Sequence, residues 1–114
     1  MNTKKDIAQQ AVLAIIERFS TYKPVNLSDS ENQVIADFER GHFQLVRIGW
    51  DGDAFAHSTV FHFDVKPDGK IWIQANNTDV LITEDLMEQG VEKSDIVLGF
   101  QPPRYRPYTG FAVS

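Results

Sequence analysis

The sequence predicts an α+β fold, in which an antiparallel β-meander of about four strands carries an N-terminal helix and a second helix packed on one face. Apolar runs rich in β-branched and aromatic residues lie between residues 42 and 76, separated by the turn segments Asp51–Asp53 and Lys66–Gly69. Each segment contains Asp-Gly, which favours a hairpin because glycine readily accepts the positive φ of a tight turn. A helical repeat of apolar residues precedes these runs. The two patterns together indicate the fold class.

The first helix is predicted from Thr3 to Tyr22. Thr3 is suited to cap its start, and Pro24 disfavours helical geometry at the residue before it, so the helix should end there. Its apolar side chains recur every three or four residues, at Ala8, Val12, Ile15, Phe19 and Tyr22. Such a helix needs an apolar surface, and we expect it to pack on the chain's own sheet rather than to dock a partner. A connecting loop, Val25–Ser30, follows.

The patterns of alternation predict four strands, at Asn32–Glu39, Phe43–Trp50, Phe55–Val65 and Lys70–Asn76. In the first, an apolar face made of Val34, Ala36 and Phe38 indicates a half-buried strand. The second carries apolar side chains on both faces, which indicates a central strand or one covered by another subunit. In the third and fourth, the core face is expected to consist of Thr59, Phe61, Phe63, Val65, Ile71, Ile73 and Ala75.

The opposite face of the third and fourth strands is predicted to carry Val60, His62 and Trp72. Helices on a single face of the sheet would leave this aromatic-rich surface partly exposed. The sequence therefore predicts that the surface is an interface, and that the protein is a homo-oligomer.

The segment after the sheet is predicted to form a second helix over Asp79–Gln89, with capping groups supplied by the polar run Asn76–Asp79. Gly90 suits the left-handed position just beyond its end. Ser94 is expected to cap a further short turn through Ile96 and Val97. From Leu98 onward, recurrent proline and glycine predict an extended tail laid against the body.

The composition suits one domain spanning residues 1–114, and it limits the classes of function. The absence of cysteine excludes disulfides and thiolate chemistry. No apolar run approaches the ~20 residues that span a bilayer, so a cytoplasmic protein without a membrane segment is expected. A net charge of −5 makes direct binding to duplex DNA doubtful, because that affinity depends on basic residues that neutralise phosphates.

Motifs for catalysis or cofactor binding are weak. His62 and Asp64 share one face of a strand and could hold a metal ion or a proton, but His42 and His57 do not look arranged to complete a site. Neither a nucleophile elbow nor a phosphate-binding glycine loop is present. Asp51 and Asp53 are interpreted as turn residues. The sequence therefore predicts no catalytic residue, no metal site and no cofactor.

The C-terminal tail is the best candidate for a contact surface. After Asp95 the chain has no acidic side chain, and the tail carries Arg104, Tyr105, Arg106 and Tyr108 among its prolines. Arginine and tyrosine are enriched at interface hot spots, and proline lowers the entropy lost when such a segment is ordered. The alternative is that its aromatic rings cover the edge of the domain's own core.

Several segments resemble the XisI family, cyanobacterial proteins described as controlling factors for excision of the fdxN DNA element. The matching segments, in the family's order, are Tyr22–Pro24, Phe43–Gly52 (FQLVRIGWDG), Asp68–Gln74 (DGKIWIQ), Ile96–Phe100 (IVLGF) and Tyr108–Val113 (YTGFAV). The resemblance implies an α+β domain without established catalytic residues. It also implies an accessory role in site-specific recombination beside a XisH-type partner protein.

Three functional hypotheses follow. The first is a non-enzymatic regulatory protein that contacts a XisH-type partner through the tail, with His62 and Trp72 as further contact residues. The second is an accessory factor that binds DNA directly through its basic tail, with an affinity that falls steeply with salt. The third is a small-molecule-binding domain that uses His62, Asp64 and Trp72 and therefore needs a concave pocket.

Overall fold

A computed structural model describes residues 3–22 and 29–114 of the chain. The α-helices are α1 (Lys4–Ser20) and α2 (Ile82–Glu88), and short 3-10 helices occupy Lys93–Asp95 and Pro103–Tyr108. The strands are β1 (Ser30–Asp37), β2 (His42–Asp51), β3 (Ala54–Val65), β4 (Ile71–Asn76) and β5 (Ile96–Leu98). Among the described residues, no helix has the length and apolar character needed to cross a bilayer.

The five strands form one sheet in the order β1-β2-β3-β4-β5. β1 to β4 are antiparallel neighbours, and β5 returns through α2 to lie parallel to β4. The predicted α+β fold with a meander and two helices is therefore confirmed.

The expectation that Ser94 caps a helical turn through Ile96 and Val97 is wrong. Those two residues pair with Ile71 and Trp72, because β4 offers them an open edge.

The helix α1 is fixed at its start by a capping box. The Asp6 N–H donates to Thr3 Oγ1, and the Thr3 N–H donates to Asp6 Oδ2, both over 3.1 Å. The helix buries one face against the core residues Phe43, Leu45 and Phe61 of β2 and β3, which confirms the prediction that it packs on its own sheet. It ends two residues earlier than predicted. Residues 23–28, including most of the expected loop Val25–Ser30, lie outside the described residues.

The prediction of a half-buried first strand is wrong. Among the described residues, β2 is the only strand that borders β1, which lies at the edge of the sheet, and Val34, Ala36 and Phe38 are all exposed. Ile35, on the alternate face, is exposed as well. An edge position explains this, since side chains there lack a second neighbouring strand to shield them.

β3 and β4 each contain a bulge, and these bulges correct the predicted faces. Leu45 pairs with Phe61 and Val46 with Thr59, so Val60 is an extra residue without a partner in β2. Val60 therefore turns into the hydrophobic core instead of the opposite face, and Thr59 is only half-buried. In β4 the extra residue is Gln74, and the predicted core residue Ala75 beyond it is also half-buried.

The helix α2 is shorter than the predicted Asp79–Gln89 and has no side-chain cap. The polar run before it forms its own turn instead. The side chain of Asn76 donates to the Val80 carbonyl oxygen over 2.8 Å and accepts from the Thr78 hydroxyl over 2.6 Å. Gly90, at φ +94°, takes the left-handed conformation predicted after the helix. The tail is less extended than expected, since residues 103–108 form a 3-10 helix.

Candidate functional site

The face of the sheet opposite α1 carries a group of polar and aromatic side chains, which we call the outer face. Its central residues alternate along β2, β3 and β4 with the residues that form the core. They are His42, His62, Asp64, Trp72 and Gln74. The polar members form one connected network.

Asp64 lies at the centre of this network. Its Oδ1 atom accepts from His42 Nδ1 over 2.7 Å and from His62 Nε2 over 3.0 Å. Its Oδ2 atom accepts from Gln74 Nε2 over 3.0 Å. The exposed fractions of the side chains are 52% for His42, 31% for His62 and 13% for Asp64. The carboxylate is thus largely buried beneath two accessible imidazoles.

The network stabilises the charged form of the Asp64 carboxylate. Burial acts to raise its pKa, but hydrogen bonds from His42 and Gln74, together with the electrostatic interaction with His62, outweigh burial. The pKa of Asp64 is therefore held below its ordinary value. A carboxylate in this state remains an anionic ligand or acceptor well into the acidic range.

The expectation that His42 would not join His62 and Asp64 is wrong, and the bulge at Val60 is the reason. In a hairpin without a bulge, one-to-one pairing outward from the Gly52 turn would place Phe63, a core residue, opposite His42. The extra residue shifts the register by one, so that His42 pairs with Asp64. The only signal in the sequence was that both residues lie near the far ends of one predicted hairpin.

Trp72 lies beside this network, since its Cα pairs with that of Asp64. Two cations cover its ring. The guanidinium carbon of Arg106 lies 5.0 Å from the ring centroid, and Lys66 Nζ lies 5.4 Å from it. Two residues that the sequence singled out separately, Trp72 and Arg106, are therefore in contact, and His62 lies on the neighbouring strand β3, two residues from the partner of Trp72.

Arg106 also holds the tail in place through its backbone partners. Its Nε atom donates to the Gln101 carbonyl oxygen over 3.1 Å, and one terminal nitrogen donates to that of Gly99 over 3.3 Å. Further along, Ala112 forms a parallel bridge with Val97 of β5. The tail is thus fastened to the sheet at both ends of its 3-10 helix.

The other tail residues singled out by the sequence point away from the body. Tyr108 is 86% exposed, Tyr105 is half-exposed, and Arg104 is exposed with its guanidinium carbon 4.8 Å from the Tyr105 ring centroid. The sequence left open whether the tail contacts a partner or covers the core. The tail ring that packs against the core is that of Phe111, whereas Tyr105 and Tyr108 are exposed.

A second exposed apolar region lies at the other end of the molecule and was not anticipated. The rings of Trp50 and Phe55 contact each other at the end of the β2–β3 hairpin, with centroids 5.1 Å apart, and both are more than half exposed. Val34 and Ile35 of β1 add exposed apolar surface along the sheet edge. An edge strand such as β1 and exposed apolar side chains of this kind are features of protein contact surfaces.

Two concave sites in the described part of the chain are small. One cleft of about 240 Å³ lies between Lys4, Gly69 and Asp95. Another of about 190 Å³ lies between Ile73, Leu81 and Phe100. Both fall below the roughly 300–1,000 Å³ of typical ligand pockets, and neither is lined by the His62, Asp64 and Trp72 group. The third hypothesis therefore gains no support from these clefts.

Comparisons with known proteins agree on a single family. The family model described as XisI protein matches residues 1–113. A XisI-like protein from Anabaena variabilis ATCC 29413 is 42% identical, with a TM-score of 0.84 over 93% of this chain and 95% of that one. The fdxN element excision controlling factor XisI from the same strain is 25% identical, with a TM-score of 0.82 over 98% and 100% of the two chains. No curated protein matches the sequence. The chain therefore belongs to the XisI family.

Proposed function

We propose that this chain is a regulatory accessory protein of site-specific DNA excision that acts by binding a protein partner of the XisH type. A relative of the same fold is named as an fdxN element excision controlling factor. The observation that carries the mechanism is the exposed Arg104, Tyr105 and Tyr108 surface, held in place because Arg106 is fixed over Trp72. This combination presents hot-spot residues on a pre-ordered segment.

The charge of the chain supports contact with protein rather than with DNA. The net charge is −5, and the basic groups of the tail are few. Of the two arginines in the 3-10 helix, Arg106 is engaged by Trp72 and by backbone carbonyls, which leaves Arg104 as its exposed cation. A single exposed guanidinium neutralises too few phosphates to sustain duplex binding.

The test is to measure, by calorimetry, the binding of a purified XisH-type protein to the wild-type chain and to the Arg104→Glu and Tyr108→Ala variants. Both side chains are exposed, so neither change should disturb folding. Each is expected to weaken binding by about tenfold or more, which is the scale of a hot-spot residue. Arg106 is unsuitable as a first test because its replacement would also loosen the tail.

The matched control is Arg40→Glu, the same change at an exposed arginine in the β1–β2 turn. Arg40 pairs with Asp37 over 3.4 Å, but exposed ion pairs of this kind contribute little to stability. Wild-type affinity is expected for this control. Equal affinities for Arg104→Glu and Arg40→Glu would contradict the proposal. So would tight, salt-sensitive binding of duplex DNA to the chain alone, which would favour the DNA-binding hypothesis.

We also propose that the protein self-associates. Trp72 is half-buried beneath Arg106 and Lys66, whereas Trp50, Phe55 and Ile35 remain exposed. The sheet edge and hairpin end are therefore better suited to a subunit interface than the ring of Trp72. Sedimentation velocity at micromolar concentration measures this, with Ile35→Lys expected to shift the wild-type species toward the monomer. A wild-type protein that is monomeric throughout would contradict self-association.

A further inference from the structure

We propose that His42, His62 and Asp64 form a binding site for one divalent transition-metal ion, with Zn²⁺ as the best match. The three side chains supply two imidazole nitrogens and a carboxylate oxygen, and these donor atoms lie within 4.8 Å of one another. Two histidines and one carboxylate are a ligand set that binds Zn²⁺ and similar ions in proteins while leaving further coordination positions open.

The geometry requires only a small rearrangement. Bonds from Zn²⁺ to nitrogen and oxygen are about 2.0–2.2 Å long, so two ligands of one tetrahedral ion lie roughly 3.3–3.6 Å apart. His42 Nδ1 and His62 Nε2 already converge on a single atom, Asp64 Oδ1, at 2.7 and 3.0 Å. An ion between these three atoms would replace the protons that they now share. Because the His42 side chain is 52% exposed, its ring has solvent on one side into which it can turn to make room for the ion.

The strands hold the donors in position. The Cα atoms of His42 and Asp64 face each other across β2 and β3, and His62 lies two residues from Asp64 on the same face. Donors on adjacent paired strands are ordered before an ion arrives, which lowers the entropy cost of binding. The exposed imidazoles give the ion a path from solvent.

Gln74 acts as a positioning residue for this site. Its side-chain N–H group donates to Asp64 Oδ2 over 3.0 Å, so the carboxylate is oriented with Oδ1 toward both histidines. The bulge in β4 falls at Gln74, the residue that makes this contact. Hydrogen bonds of this kind orient ligands and increase metal affinity in known sites.

The donor types exclude some ions as good matches. Ca²⁺ and Mg²⁺ prefer shells made of oxygen, whereas imidazole nitrogen favours Zn²⁺, Co²⁺, Ni²⁺ and Cu²⁺. The site supplies only one carboxylate and no cysteine. We therefore expect selectivity for Zn²⁺ over Mg²⁺, together with coordination positions completed by water or by a donor from a bound partner.

Isothermal titration of ZnCl₂ into chelator-treated protein without a histidine tag tests the proposal. Wild-type protein is expected to bind one Zn²⁺ per chain and to show a higher thermal midpoint with Zn²⁺ but not with Mg²⁺. His62→Ala and Asp64→Asn should each weaken binding by at least about tenfold, and Gln74→Leu by roughly tenfold. His42→Ala should behave like His62→Ala and, because His42 is half-exposed, is the variant least able to affect folding.

The matched control is His57→Ala. His57 lies on β3 and is exposed, but it pairs with Ile48 far from Asp64. Its removal should leave Zn²⁺ affinity unchanged, which separates this site from adventitious binding to surface histidines. The proposal is wrong if wild-type protein binds no Zn²⁺, if Mg²⁺ binds as well as Zn²⁺, or if folded His42→Ala protein retains wild-type affinity.

Discussion

The backbone of Gly41 lies against that of Val65, and this contact joins the β1–β2 turn to the end of β3. The Val65 N–H donates to the Gly41 carbonyl oxygen over 2.7 Å, and the Gly41 N–H donates to that of Asp37 over 2.8 Å. Gly41 has φ +77°, and a Cβ atom there would overlap the Val65 carbonyl oxygen. The turn therefore requires glycine for both conformation and space.

Gly41→Ala is accordingly expected to lower the free energy of unfolding by more than about 2 kcal/mol, because it combines left-handed strain with a backbone clash. Urea denaturation measures this change. Gly52→Ala is the matched control. Gly52 also has a positive φ, +62°, but a Cβ atom there would meet no described residue within 4 Å, so its cost should be only about 1 kcal/mol. Equal costs for the two variants would mean that the Val65 contact is unimportant.

Patterns that depend on neighbours in sequence were predicted well. The Thr3 cap, the Asp-Gly hairpin and the left-handed Gly90 all depend on local chemistry. Alternation predicts β1 as a strand but wrongly predicts that it is half-buried, because alternation does not reveal which strands lie at a sheet edge. The sequence does not predict β5, because three residues carry no periodicity and the strand exists through its pairing with β4.

The candidate site was harder to predict because it depends on a register shift. The i, i+2 spacing of His62 and Asp64 was visible in the sequence, and so was the pairing of the two strands around Gly52. A hairpin without a bulge would nevertheless put His42 opposite Phe63, on the core face of the sheet and away from Asp64. The bulge at Val60 has no signature that distinguishes it from an ordinary apolar strand position, and it alone brings His42 to Asp64.

The aromatic core is expected to dominate stability. Phe61 is fully buried, with its ring 5.4 Å from that of Phe19 and 5.8 Å from that of Phe63. Phe61→Ala should lower the free energy of unfolding by about 3–5 kcal/mol through lost burial and a new cavity. Phe55→Ala, the same change on the same strand at a residue that is 55% exposed, should cost far less. A similar loss for both in chemical denaturation would contradict the assignment of the core.

An ion pair between α1 and the segment before β5 should make stability depend on alkaline pH. Lys4 Nζ lies 2.7 Å from Asp95 Oδ1, and this hydrogen bond raises the pKa of Lys4 above its ordinary 10.5. Because the pKa of Lys4 is higher in the folded protein than in the unfolded chain, protonated Lys4 stabilises the folded state. This stabilisation is fully present below pH 10.5 and is lost as the pH rises through the pKa of Lys4 in the folded state.

Lys4→Met should therefore destabilise the protein at neutral pH and lose less stability than wild type between about pH 10 and 12. Thermal unfolding of the two proteins across this pH range measures the difference in stability between them. The contributions of the other lysines and of the tyrosines cancel in this difference, because both proteins contain them. Lys4→Arg is the control, since arginine keeps its charge there. Parallel curves for wild type and Lys4→Met would show that the pair with Asp95 contributes nothing to the pH dependence.

The contact between Arg106 and Trp72 should determine how firmly the tail is held. Arg106→Ala removes a cation over the indole ring and two donors to backbone carbonyls, so the tail is expected to detach more often. A cation–π contact of this kind contributes roughly 0.5–2 kcal/mol. Hydrogen exchange should therefore be about threefold or more faster at the Thr109 and Ala112 amides, which donate to the Arg106 and Ile96 carbonyl oxygens. Arg104→Ala, two residues away and exposed, should leave both rates unchanged; equal acceleration in the two variants would mean that Arg106 does not fasten the tail.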